Sequence, residues 1–493
     1  MKKIISVVLL LCAVCAVWAG EVKIFHTSDV HGYYFPTTAN GETIGGFAAL
    51  AGYLQTQKEP YLLLDSGDFT SGTYEAKKSK GAYSVDFINK LGYQAVTLGN
   101  HENDFKDDAL LKNIAKIKAD ILALNAEDRK TKTYPAHIKP YAFYEVNGYK
   151  IAVIGVAKEF STTSKYIKIN KPRKLLKKAV EEVKKQKPDA IVLLVHDSAD
   201  DQRHEDAYTT VKLVKDLGID LVLGGHAHVI IQNKKVDGTV FAESGTALRG
   251  ITAAVLTFDD TTKKLTDVKT EYVLMDNSKI KLPAEMVAFA NARLDKKMDL
   301  VIGLAKENIS NLPSTKNSAV DSYLGDLFCD IIKQNTGADI AVINSGAVRG
   351  AGILAGKITH RVIEEVLPFQ NKIIIVKAEG KFIEKLVRRS LKEKSSLFQY
   401  SGLKVKYSFK NGRAKIHEIS VNGKPLNSTQ IYTLAVPDFI ANGNSEGYLF
   451  KKITDKTVFS DTFLADYFIK YLSEKKEGIL PPEDTERIIK VSK

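Results

Sequence analysis

Ala95-Val96-Thr97-Leu98-Gly99-Asn100-His101-Glu102 opens as a short, largely apolar run and breaks into a polar tetrad. The first four residues suit a buried strand, and Gly-Asn-His-Glu directly after one has no part to play in a core. The same break recurs four times in the first half of the chain. Asp29-Val30-His31 follows a strand expected at 22–26, and Asp65-Ser66-Gly67-Asp68 follows one at 61–64. His196-Asp197 follows 191–195, and Gly224-Gly225-His226-Ala227-His228 follows 221–223. Polar residues gathered at strand ends are what an open α/β sheet presents to a ligand.

Further strands are expected at 121–124 and 151–156, with helices at 46–57, 83–90, 107–118, 173–187 and 208–217. This alternation to about residue 273 predicts an α/β layered domain with a mixed sheet. The texture then changes. Residues 283–299 carry Met286, Phe289, Ala290, Leu294 and Met298 at helical spacing among many charges, which suits a connecting helix. A helix at 323–333, strands at 340–343, 373–378, 403–409 and 431–436, and an Asn422-Gly423 turn mark a second domain. The expected division is a leader at 1–19, a first domain at 20–282, a linker helix at 283–299 and a second domain at 300–493.

A length of 493 residues exceeds one hydrophobic core and agrees with two domains. With 44% hydrophobic and 26% charged residues, a disordered or fibrous chain is excluded. Three cysteines are too few for a disulfide scaffold. The one C-x-x-C pair, Cys12 and Cys15, falls in the apolar run of the expected leader, which leaves Cys329 alone in the rest of the chain and no thiolate zinc site there. Lys2 and Lys3 precede an apolar run to Val17, and Val17-Trp18-Ala19 offers a cleavage site, so a periplasmic or cell-surface location is expected. Val14 before Cys15 and Leu11 before Cys12 suit a lipobox poorly, which makes a lipid anchor the lesser alternative. No other stretch is long and apolar enough to span a bilayer. The net charge of +13 lies mostly on helix faces such as 174–187, without the interleaved aromatics that nucleic-acid binding needs.

Eight of the ten histidines lie between His26 and His228, and five of them fall in the clusters. Imidazole and carboxylate without thiolate suit Mn²⁺, Zn²⁺, Co²⁺ or Fe in a catalytic site. A carboxylate with ligands on both sides can bridge two cations, and such a pair can bind a phosphoryl oxygen and lower the pKa of water.

The order D-x-H, G-D, G-N-H-E, a lone H, then G-G-H-x-H resembles the calcineurin-like metallophosphoesterases, and the chain from about 22 to 475 resembles the secreted 5′-nucleotidase family. The resemblance implies a four-layer α/β/β/α sandwich joined by a linker helix to a smaller α+β domain. It implies two divalent metal ions, one held by Asp29, His31, Asp68 and His228, the other by Asp68 as a bridge, Asn100, His196 and His226. Asn100 is also implied to meet substrate. His101 is implied as the catalytic residue that contacts phosphate, oriented by Asp104. Asn103 stands where many relatives have an aromatic residue, Glu102 has no assigned role, and His26 reads as structural.

In the second half, Arg349 on a glycine-flanked loop suits an anion through its planar fork. Phe369 and Phe439, on loops expected to follow strands, could clamp a flat base, but from composition alone they read rather as core plugs. The resemblance implies that Arg349 binds substrate phosphate, that Phe369 and Phe439 sandwich a nucleobase, and that Asn442 and Gly443 touch base and ribose. Three departures stand against it. Gly443-Asn444-Ser445-Glu446-Gly447 replaces Gly-Gly-Asp-Gly, Asn344-Ser345-Gly346-Ala347 replaces Asn-Gly-Gly-Gly, and an upstream arginine is missing, with Lys316 its nearest substitute.

The function so expected is an exported phosphohydrolase acting on nucleoside 5′-monophosphates or related nucleotides by attack of a metal-bound hydroxide. Alternatives are a hydrolase of the same fold for cyclic nucleotides, nucleotide sugars or thiosulfate esters, and a surface binding protein with a vestigial site.

Overall fold

Three runs, β-branched or leucine-rich, form strands buried along nearly their whole length: Tyr149–Val156, Ala190–Val195 and Leu221–Gly224. They pair in parallel, and burial on both faces accounts for their unbroken apolar character. The computed structural model containing them describes residues 19–39, 42–199, 209–312, 320–350, 352–392, 396–410, 412–483 and 486–491. All of the expected leader but Ala19, together with His204 and Lys316, lies outside these residues, and the Glu446 side chain is likewise not described.

The chain divides into two compact units, one of Met1–Val30, Ile44–Phe69 and Val85–Pro283, the other of His31–Thr43, Thr70–Ser84 and Ala284–Lys493. In the first unit the three buried strands form the middle of a six-stranded sheet, flanked by Thr239–Ser244 and Ile230–Val236 on one side and Tyr141–Val146 on the other. A seven-stranded sheet runs in the order Leu265–Leu274, Gly250–Asp259, Ala19–Thr27, Tyr61–Asp65, Ala95–Val96, Asp120–Leu122, Ile138–Lys139. Val22, Ile24, Leu62 and Leu64 of the larger sheet share one apolar layer with Ile151, Val192, Leu194 and Leu223 of the smaller. The outer face of the smaller sheet packs on helices through Leu176, Val180, Val183 and Leu213. On the other side, helices Phe47–Gln55 and Ala82–Leu91 meet through the rings of Phe47 and Phe87, 4.6 Å apart. The fold is the expected four-layer α/β/β/α sandwich followed by an α+β part.

Several expected elements are shorter than their patterns, two of them with a visible cause. The strand expected at 95–98 pairs only over Ala95–Val96, and Thr97 turns its hydroxyl to the Leu122 carbonyl. The helix expected over 283–299 covers Ala284–Asn291, because the Asp295 side chain accepts from Lys297 N and starts a separate 3₁₀ turn at Lys296–Asp299.

In the second unit a five-stranded sheet (Phe398–Ser401, Ile340–Asn344, Ile431–Pro437, Lys372–Glu379, Lys456–Phe463) has a core on each face. Helix Tyr323–Thr336 is capped by Ser322, whose Oγ accepts from Gly325 N at 3.1 Å, and stops at left-handed Gly337. Asn422 and Gly423 both have positive φ, the requirement of the tight hairpin turn expected there. Thr70–Ser84 groups with this unit through ion pairs: Arg361 donates to Glu75 at 2.6 Å and to Asp299 at 2.8 Å, and Lys77 pairs with Glu364 at 2.7 Å. Among the described residues no helix is long and apolar enough to cross a membrane.

Candidate metal centre

Each of the five polar clusters sits where its strand ends, at Thr27, Asp65, Val96, Val195 and Gly224. The turns that follow are unusual in conformation. Asp29, His31, Asp68, His226 and His228 have φ of 51°, 50°, 58°, 75° and 61°. A left-handed backbone costs a residue with a Cβ about 1–2 kcal/mol, and such strain in a cluster is a mark of a functional site. The turns also pack too closely for side chains between them. A Cβ on Gly99 would strike Oδ1 of Asp68, and one on Gly67 would strike the backbone of Gly99.

Two triads result, Asp29 with His31 and His228, and Asp68 with His196 and His226, each offering ligand atoms within 4.8 Å of one another. His228 Nε2 lies 3.3 Å from Asp29 Oδ1, and His196 Nε2 lies 3.1 Å from Asp68 Oδ2 and 3.8 Å from Asp29 Oδ1. The triads are therefore neighbours. The Nδ1 atoms of His31 and His196 are occupied by the Ser71 and Ser66 carbonyls at 2.9 and 2.7 Å. That fixes both tautomers and leaves Nε2 for a metal.

The electrostatics favour added positive charge. Burial works against a charged His196, yet Asp68 and Asp29 overcome it and push the imidazole up to about 10. Burial would likewise raise Asp29, but His196 and His228 hold its carboxylate well below the usual range. A buried pocket that draws protons so strongly suits divalent cations equally well. The Oδ1 atom of Asn100 is buried without a hydrogen-bond partner, as an oxygen intended for a cation would be.

His101 and Asp104 stand apart from both triads. His101 Nδ1 meets Asp104 Oδ2 at 2.7 Å, and the backbone N of His101 donates to Asp68 Oδ1 at 2.7 Å.

Glu102, unassigned from sequence, has a clear structural part. Its carboxylate accepts from the backbone N of Asp68 and Phe69, both at 2.9 Å, and from that of Gly99. One side chain thus ties the Asp68 turn to the Asn100 turn. Burial, then Asp68, raises its pKa to about 7. Glu243 was not anticipated at all. It is buried beneath the 196–199 turn, accepts from Ser198 Oγ and Ala199 N at 2.8 Å, and burial raises its pKa to about 8. His26 meets Ser66 Oγ at 2.8 Å and is driven by burial down to about 3, the state of a neutral structural histidine.

A calcineurin-like phosphoesterase family model matches residues 22–230, and a 5′-nucleotidase, C-terminal domain model matches residues 301–452. The chain belongs to the two-domain 5′-nucleotidase family. A member named as a 5′-nucleotidase in Vibrio vulnificus is 27% identical over 94% of this chain and 92% of its own length. The trifunctional nucleotide phosphoesterase protein YfkN of Bacillus subtilis is 24% identical over 93% of this chain, which spans only 34% of that longer protein. The crystal structure of a 5′-nucleotidase precursor from Thermus thermophilus superposes with a TM-score of 0.84 at 24% identity, covering 96% of this chain and 100% of the other. As a member of the 5′-nucleotidase family the chain is a phosphoric monoester hydrolase.

The 5′-nucleotidase C-terminal part holds the other expected site residues. The Arg349 guanidinium lies 5.4 Å from the centre of the Phe369 ring, so these two are together. Phe439 is half-buried against the core of the unit. Asn442 is exposed at the end of the short helix Asp438–Ala441, and Gly443 follows with φ of 90°.

Proposed function

We propose that this chain is an exported phosphohydrolase that releases phosphate from nucleoside 5′-monophosphates or closely related nucleotides. The observation that carries the reading is the pair of adjacent triads with the His101–Asp104 couple beside them. Export is supported by Lys2-Lys3 and the apolar run to Val17.

Asp29, His31 and His228 would hold one divalent cation, and His196, His226 and Asn100 the other, with Asp68 shared. Two such cations, when bound, supply Lewis acidity toward the phosphoryl oxygens and toward an attacking water. Glu102 keeps the Asp68 and Asn100 turns in register, and the Ser71 and Ser66 carbonyls hold two imidazoles in aim. His101, its ring set by Asp104, places its other ring N–H against the phosphoryl group and offsets the negative charge that develops there. Arg349 binds phosphate by its fork, Phe369 and Phe439 hold a base by stacking, and Asn442 and Gly443 supply polar contacts.

The test is a panel of phosphate donors given to the mature protein: nucleoside 5′-monophosphates, cyclic nucleotides, nucleotide sugars and sugar phosphates. Nucleoside 5′-monophosphates are expected to turn over fastest. Equal rates on simple sugar phosphates would remove the nucleoside from the reading. Phe439→Ala is expected to raise KM for a nucleotide about 5- to 100-fold, from the loss of one stacking partner. Its effect on p-nitrophenyl phosphate should be within twofold, and an equal effect on both substrates would make Phe439 a core residue only.

A further inference from the structure

Asn100 poses a problem that its histidine and carboxylate neighbours do not. A carboxylate presents oxygen to a cation in either orientation, whereas a primary amide turned by 180° presents its NH₂ group. Something must select the productive face.

The loop after strand Tyr149–Val156 is placed to do so. Lys158 N donates to Leu98 O at 3.1 Å, Ser161 N donates to Asn100 O at 2.8 Å, and Asn103 Nδ2 donates to Thr162 O at 2.8 Å. Within that splint, Asn100 Nδ2 donates to Ser161 Oγ at 3.0 Å, while Oδ1 is the buried atom left without a partner. Asn100 is buried and Ser161 is exposed.

We propose that Ser161 is a positioning residue for the metal centre: its hydroxyl fixes the Asn100 amide so that Oδ1 faces the cation held with Asp68, His196 and His226. This rests on the dinuclear reading of the site. The chemistry is that of an outer partner orienting a ligand, and loss of such a partner commonly weakens metal binding about 10- to 100-fold.

Ser161→Ala isolates the point. The backbone bond from residue 161 to Asn100 O does not involve the side chain, so the loop stays docked while the amide loses its anchor. Metal-stripped wild type, Ser161→Ala and Ser161→Thr would each be titrated with Mn²⁺ by calorimetry, with bound metal counted after dialysis. Wild type is expected to take up two ions per chain. Ser161→Ala should keep one site as in wild type and weaken the other about 10- to 100-fold, with the melting temperature of the stripped protein unchanged. Ser161→Thr, which retains the hydroxyl, should recover most of the affinity. Wild type with fewer than two ions would overturn the dinuclear reading and this assignment with it. Two ions in wild type and unaltered affinities in Ser161→Ala would overturn the assignment alone. So would a loss that Ser161→Thr fails to recover while the stripped Ser161→Ala protein melts early.

Discussion

Stripped of divalent cations by a chelator, the protein is expected to lose phosphate release by on the order of 10³-fold or more, and to regain it with Mn²⁺, Co²⁺ or Zn²⁺. The chain's own groups cannot take over. Asp29 and Asp68 bring negative charge toward an anionic substrate, and in the absence of metal His196 spends its proton on them. The same cations should stabilise the fold, since they bind the native arrangement of turns and not the unfolded chain. At a hundredfold excess over Kd the gain is about 2.7 kcal/mol per site, readable as a rise in melting temperature. Asp68→Asn tests the centre from the protein side. It keeps the volume and leaves the backbone acceptor role of Glu102 in place, but removes one of two carboxylates among the expected ligands. Bound metal should fall below two ions per chain, and turnover should drop to near the stripped level. Full metal content with intact turnover in Asp68→Asn would defeat the dinuclear model.

The location of this candidate centre was readable in the sequence because polar clusters directly after apolar strands have no place in a core. The strands themselves were readable for the same reason: runs such as Ile151–Val156 are too short for a helix and too apolar for anything but a sheet buried on both faces. Other features left no such trace. The left-handed conformation of Asp29, His31, Asp68, His226 and His228 is a property of the backbone, and aspartate and histidine do not announce it as glycine does. Glu102 stood inside a recognised motif, but its work is done through three amides, two of them more than thirty residues back along the chain. Glu243 lies on a strand, Thr239–Ser244, whose pattern reads as ordinary core, and its partners Ser198 and Ala199 come from another turn. Side chains that act on distant backbone have no local spacing to betray them. The grouping of Thr70–Ser84 with the second unit was hidden for a related reason, since Glu75 finds Arg361 across almost three hundred residues.

His101→Ala is expected to reduce kcat about 10²- to 10⁴-fold, the range for loss of a positioned acid–base group, while leaving two metal ions bound and KM little changed. The separation follows from how His101 is attached. Its backbone N holds Asp68 Oδ1 at 2.7 Å, and alanine preserves that bond. Its imidazole belongs to neither triad and is tied instead to Asp104 at 2.7 Å, so truncation removes a proton donor without removing a ligand. Asp104→Asn should give a smaller loss in the same direction, because the ring keeps its place but loses the carboxylate that fixes its tautomer. The deciding measurement pairs turnover with metal content on the same samples. If His101→Ala sheds metal in proportion to its lost activity, the residue supports the Asp68 turn and takes no part in the chemistry. If metal stays and kcat falls, the ring acts on the substrate, and the His101–Asp104 couple is the acid–base element that the two triads lack.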